Sequence, residues 1–167
     1  MTVTVHIREP TASDGRELVL KSRQSKALHN RWTKAPTTGP LFQEYLRSLR
    51  SPANFGFLVC AGASDNVAGV VNISNVVLGA FRSGYLGYYV FAGFERQGIM
   101  TQGLRLVVRH AFTQMGLHRL EANIQPDNLA SIGLVRSCGF TLEGYSRRYL
   151  KINGRWRDHE RWAIIAS

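Results

Sequence analysis

The sequence predicts an α+β fold, a mixed and mostly antiparallel sheet flanked by helices, and three observations lead there. Strand-like and helix-like stretches follow one another in an irregular order: strand, two helices, three strands, helix, strand, helix, then two strands or more. Three consecutive strands joined by short turns imply an antiparallel meander, whereas a strand–helix–strand unit across residues 85–124 implies a parallel pair. The size agrees: 167 residues, 44% hydrophobic and 19% charged, make one domain over 1–167 with a core of its own and no sign of disorder.

The elements can be justified in order. Val3 to Arg8 alternates like a strand, and Thr11 or Ser13 caps a helix running to about Arg23. Residues 29–40 hold Pro36, Pro40 and a Thr-Thr-Gly turn signal, and read as a loop. Phe42, Tyr45, Leu46 and Leu49 recur at helical spacing, which predicts a second helix over 41–50. Strands are expected at 55–61, 68–77 and 85–91, with Ser64-Asp65-Asn66 turning between the first two. A long helix then starts after Gly98, buries Ile99, Leu104, Val107, Val108 and Ala111, and ends at Gly116. Residues 120–124 are a short strand. Pro126-Asp127-Asn128 opens a helix that Gly139 closes, and strands follow at 140–145 and 159–165. Asn153-Gly154 marks a hairpin turn between 149–152 and 156–157.

Composition removes several function classes. No apolar run is long enough to cross a bilayer, and the alternating polar start, residues 1–9, predicts no signal peptide, so a cytoplasmic protein is expected. Cys60 and Cys138 have apolar neighbours and neither metal-like nor redox-like spacing; buried free thiols are expected, and no metal. The net charge is +10, and Arg147, Arg148, Lys151, Arg155, Arg157 and Arg161 crowd one stretch. Such a surface attracts anions, whether phosphates, nucleic acid or acidic protein, although solubility alone also explains it.

Two features carry chemistry. The first is a strand, Tyr88-Tyr89-Val90-Phe91, entering a helix through Glu95-Arg96-Gln97-Gly98-Ile99-Met100-Thr101. Free amides at a helix start bind phosphate, and Gly98 lets a ligand approach the backbone. The motif is neither a Walker loop nor a dinucleotide fingerprint, and on spacing alone an ordinary glycine at a loop–helix joint explains it better. The second is Pro126-Asp127-Asn128 with Ser131, ending in Cys138-Gly139-Phe140; Asn128 and Ser131 share a helix face, where they hold a ligand or simply cap the helix and meet solvent.

In this order the two features resemble the GNAT acetyltransferases. Leu86-Gly87-Tyr88, Ala122-Asn123, Leu142-Glu143-Gly144-Tyr145, and Tyr149-Leu150 through Asn153-Gly154-Arg155-Trp156-Arg157-Asp158-His159 look like the RimJ/RimL group that acetylates ribosomal-protein amino termini. The match runs from about residue 84 to the end. The resemblance implies a splayed parallel strand pair forming a coenzyme A site, with no metal. Tyr89, Val90, Phe91, Arg96, Gln97, Gly98, Ile99, Met100, Thr101 and Asn128 would bind acetyl-CoA. It departs from the family at Glu95, where glutamine or arginine is usual, at Arg96, where glycine is common, at Met100, and at Val135, where many members place a proton-donating tyrosine.

The resemblance implies direct transfer of acetyl to an amine. A free α-amino group titrates near about 7.7–8.0, so a carboxylate acting through water suffices as base. Glu143 is matched to that role, though a plain strand-end residue explains it equally. Ser131 replaces the missing tyrosine as donor to the thiolate, and the amide of Val90 or Phe91 holds the thioester oxygen. His110 and His118 are expected to satisfy helix carbonyls, Asp158-His159 to be a structural pair, and Trp32, Tyr45 and Trp156 to be core or to line the acceptor groove. The expected partners are coenzyme A and a protein or peptide N-terminus; a ribosomal one is among the candidates, because the basic surface suits an acidic ribosomal protein or contact with ribosomal RNA. A monomer or homodimer is expected. A small-amine or antibiotic acetyltransferase, and a ribosome- or RNA-associated binding protein of the same fold, remain the alternatives.

Overall fold

The computed structural model describes residues 3–167; the first two residues of the expected polar start lie outside it. Strands β1 (Val5–Arg8), β2 (Phe55–Ala61), β3 (Asn66–Val77), β4 (Ser83–Val90), β5 (Arg119–Ile124), β6 (Thr141–Ile152) and β7 (Arg155–Ile165) form one sheet in the order β1-β2-β3-β4-β5-β7-β6. Every neighbouring pair is antiparallel except β4–β5. The expected α+β class, meander and parallel pair are all present.

Helices α1 (Gly15–Gln24), α2 (Lys26–His29) and α3 (Gly39–Ser48) precede β2, while α4 (Ile99–Thr113) and α5 (Leu129–Ser137) flank β5. The sheet is buried on both faces in its first half. On one side α4 packs Ile99, Leu104, Val107 and Ala111 against Val59, Val71, Ile73 and Leu120. On the other, Leu18 and Phe42 from α1 and α3 pack on Leu58, Val67, Val70 and Phe91. Gly103 is where α4 comes closest to the sheet: a Cβ there would lie 2.5 Å from Val59.

Four departures from expectation follow. The loop expected over residues 29–40 is shorter, because α3 already starts at Gly39: Pro40 fits a first turn, whose amides need no partner, and the Thr38 hydroxyl caps it from Leu41 N at 3.3 Å. The fragments expected at 140–145 and 149–152 are one strand, β6, which absorbs Arg147, Arg148 and Tyr149 opposite Asp158 as a bulge, with Arg148 at φ 48°. Likewise β7 is continuous from Arg155 to Ile165. His110 does not serve helix carbonyls with its ring; the ring packs edge-on against Phe57 at 5.2 Å.

Candidate active site

The site grows from one irregularity in the sheet. β4 and β5 pair from Ser83↔Arg119 to Leu86↔Ala122 and then diverge, leaving Gly87–Val90 and Asn123–Ile124 on either side of an opening. Phe91 N donates to Ala68 O at 2.8 Å, toward β3. Backbone groups alternate sides along a strand, so the Val90 amide faces the opening instead. The Val90 carbonyl, facing the same way, accepts from His29 Nε2 at 2.6 Å. Burial lowers the pKa of His29, and a neutral ring thereby anchors the free end of β4.

At the end of β4 the chain turns through Arg96 (φ 59°) and Gly98 (φ 72°) into α4. Left-handed residues alternating with right-handed ones aim successive amides into one concavity, and those of α4's first turn have no intrahelical partner. A Cβ on Gly98 would meet nothing within 4 Å, so the space above the turn is open. The first turn carries no acidic residue. Glu95 turns its carboxylate back onto Gly93 N at 2.6 Å, and Gln97 closes the loop by donating to Gly93 O at 2.7 Å.

A groove of about 1040 Å³ runs from this turn between β4 and α5. Of the expected coenzyme residues, Tyr89, Val90, Arg96, Gly98, Met100, Thr101 and Asn128 line it. Phe91 and Ile99 are core residues, each 1% exposed, and the Phe91 amide is spent on β3, which leaves Val90 as the amide facing the opening. Asn128 is the cap of α5, its Oδ1 accepting from Ser131 N at 3.2 Å. A second cavity of about 130 Å³ lies in the β4–β5 opening itself. The two cavities share Trp32, Thr33, Tyr88, Asn128 and Ser131.

At that junction the Tyr88 hydroxyl and Ser131 Oγ lie 2.6 Å apart. Ser131 is therefore turned inward rather than to solvent. The sequence points to Ser131 but not to Tyr88 as its partner; Tyr88 stands there as a strand residue of Tyr88-Tyr89-Val90-Phe91 and within the family-like Leu86-Gly87-Tyr88. Burial raises the Tyr88 pKa, so the phenol stays protonated and able to donate.

Glu143 is not brought to this junction. Both its oxygens pair with Arg119, one from Nη1 at 3.0 Å and the other from Nη2, while Arg119 Nη2 also holds Glu121 at 2.5 Å. Arg119 is the first residue of β5, three residues before the strands part, or about 10 Å along the strand. The guanidinium holds the Glu143 carboxyl below its usual range, which makes it a poorer base. Asp158 and His159 are no pair either: Asp158 accepts from the Tyr145 hydroxyl and from Arg148 N, both at 2.8 Å, whereas His159 is buried and lines the smaller cavity.

Trp32 lines both cavities, Tyr45 is bonded to Asn72 Oδ1 beside the second core, and Trp156 is 61% exposed on the β6–β7 hairpin. Burial pushes the Cys60 thiol up to about 12 and raises Cys138 as well, so neither is a ready nucleophile. His6, Cys60 and Asp65 offer ligand atoms within 4.8 Å of one another, but Arg8 Nε, 2.7 Å from Asp65, already supplies the cation there.

The splayed parallel pair thus has an amide-lined turn at one end and a second cavity at the other. Residues 4–141 match the family described as Acetyltransferase (GNAT) domain, and the chain belongs to that family of N-acetyltransferases. The chain is 41% identical over 93 residues to the [ribosomal protein uS5]-alanine N-acetyltransferase of Escherichia coli, a stretch covering 56% of this chain and 48% of that protein. It thus aligns with about half of that relative's length. It is 24% identical over 123 residues, 74% of this chain and 70% of the relative, to a spermidine N(1)-acetyltransferase of Vibrio cholerae. Among solved structures, that of Mycobacterium smegmatis RimJ in complex with CoA-disulfide superposes with a TM-score of 0.88 at 30% identity, covering 97% of this chain and 82% of the other.

Proposed function

We propose that this protein transfers the acetyl group of acetyl-CoA to the α-amino group of a protein, a ribosomal protein being the first candidate. The observation that carries the proposal is the meeting of two cavities at the Tyr88–Ser131 hydroxyl pair, beside the free end of β4. The pyrophosphate sits on the amides of Gly98 to Thr101 with Arg96 alongside. The pantetheine arm follows the groove between β4 and α5. The thioester oxygen accepts from Val90 N, which stabilises the charge that develops there. The acceptor amine attacks from the smaller cavity: a C–N bond forms, the C–S bond breaks, and the departing thiolate takes a hydrogen bond from Ser131, backed by Tyr88.

The acceptor is better read as a peptide amino terminus than as a polyamine. The lining of the smaller cavity, among the described residues, holds no carboxylate to receive a polycation. The net charge of +10 repels one at long range as well. The same charge favours an acidic protein or a target presented on ribosomal RNA, through the exposed Arg147, Arg148, Arg155 and Arg157. Steady-state kinetics with acetyl-CoA and three acceptors, an acidic peptide, a basic peptide and spermidine, test this. The acidic peptide should give the highest kcat/KM, with the advantage shrinking as salt rises. Preference for spermidine refutes the peptide reading.

A further inference from the structure

We infer that Asn123 and His159 form the station for the acceptor amine, with Asn123 Oδ1 accepting one of its N–H bonds and His159 Nε2 removing its proton. The inference rests on the acetyl-transfer reading above and names residues for the half of the site that reading leaves open.

Asn123 stands on β5 just past Ala122, the last residue paired with β4, and lines the smaller cavity. Its Oδ1 is buried and takes no hydrogen bond within the protein. A buried acceptor without a donor is costly and is expected to meet one from a ligand or from water. A primary amine brings such donors.

His159 lines the same cavity from β7 and is 3% exposed. Its Nδ1 lies 2.9 Å from Arg157 O, and a carbonyl only accepts, so Nδ1 carries the proton. Nε2 has no partner among the described residues, and in the neutral ring it carries the free lone pair that a base requires. The carboxylates beside it in sequence are engaged elsewhere: Asp158 with Tyr145 and Arg148, Glu160 with Trp162 Nε1 at 2.9 Å. The groups that face His159 are Tyr149 from β6, with ring centroids 6.2 Å apart, Tyr88 across the cavity from β4, and Arg157 and Arg161 two residues away on its own side of β7; β5 contributes the uncharged Asn123 and Gln125, and the loop after α2 contributes Trp32 and Thr33. With cations along the strand and no carboxylate in the lining, an ammonium gains little here. The cavity therefore favours the neutral amine, and Nε2 keeps its lone pair for the proton released on attack.

In the balanced step, the amine nitrogen bonds the acetyl carbon, its proton goes to His159 Nε2, and the C–S bond breaks toward Ser131 and Tyr88. Glu143 takes no part.

The test uses the whole chain with acetyl-CoA and an acidic acceptor peptide. His159→Gln should lower kcat by ~100-fold or more, in the range of a lost general base, and should remove one ionisation from the acid limb of the kcat/KM profile, leaving the amine's own. Asn123→Leu should raise the peptide KM ~10-fold or more. Acetyl-CoA affinity should stay within about twofold of wild type in both, which also reports that they fold. Histidine-labelled wild-type protein gives a reading free of any substitution: long-range proton–nitrogen NMR should find His159 protonated on Nδ1, with Nε2 shifting when peptide is added to the coenzyme complex. A proton on Nε2, or variants that keep wild-type kinetics and pH profile, overturns the inference while acetyl transfer stands. A wild-type enzyme that acetylates no peptide overturns both.

Discussion

Replacing Gly98 by aspartate puts the coenzyme loop under a defined strain. Gly98 has φ 72° and caps α4, and the added Cβ would find open space within 4 Å, so no steric clash is expected. The folding cost is the left-handed conformation, about 1 kcal/mol, and aspartate tolerates it better than most residues. The binding cost is electrostatic. At about 5 Å from a phosphate charge, with an effective dielectric constant of about 20, the new carboxylate loses about 3 kcal/mol, or roughly a hundredfold in affinity. Gly98→Ala is the control, since it carries the strain without the charge. Calorimetry should show acetyl-CoA affinity falling about a hundredfold for aspartate and at most about tenfold for alanine, with both proteins melting cooperatively a few degrees below wild type. Equal affinity in wild type and Gly98→Asp would remove this turn from the coenzyme site.

Other outcomes follow from the same geometry. Ser131→Ala and Tyr88→Phe should each lower kcat while leaving acetyl-CoA affinity near wild type, and the double variant should be little worse than the poorer single one, because the hydroxyls act as a pair 2.6 Å apart. Glu143→Gln should keep kcat within about twofold, since its carboxylate is committed to Arg119 away from the cavities; a fall in kcat matching that of His159→Gln would return the base to Glu143. Asp14 is 6% exposed and held by both Arg8 terminal nitrogens, and the first cause of its lowered pKa is that hydrogen bonding. Its contribution to stability is therefore present above the unfolded value of about 3.9 and lost as pH falls through the lower folded one; Asp14→Asn should flatten the acid limb of a Tm-against-pH curve and leave the neutral part parallel to wild type.

The parts of the site legible in the sequence are those built locally. The turn into α4 announces itself as a strand running through Gly98 into an apolar-faced helix, and Asn128 as a cap. The parallel pair was legible too, because a helix separated two strand-like stretches. What could not be read is what distant segments bring together. Tyr88 and Ser131 are 43 positions apart, and His29 and Val90 are 61 apart. Nothing in the periodicity near Tyr88 distinguishes a hydroxyl aimed at α5 from an ordinary strand aromatic. The engagement of Glu143 is hidden for the same reason: it depends on Arg119, 24 residues earlier, which the sheet brings to it. His159 looked like half of an Asp–His pair because the two are adjacent. Neighbours on a strand point to opposite faces, and β7 sends one to solvent and the other to the cavity. The bulge in β6 was hidden because Arg147, Arg148 and Tyr149 alternate no worse than their neighbours.

The central claim is the transfer of acetyl from acetyl-CoA to a protein's α-amino group. Ribosomal proteins from unacetylated subunits, incubated with the purified protein and isotope-labelled acetyl-CoA, can be read by mass spectrometry of their N-terminal and internal peptides. The label should appear on one or a few α-amino termini, and should be reduced with Ser131→Ala and at high salt. Label found only on lysine side chains or on added polyamine, with every α-amino terminus bare, would contradict the account.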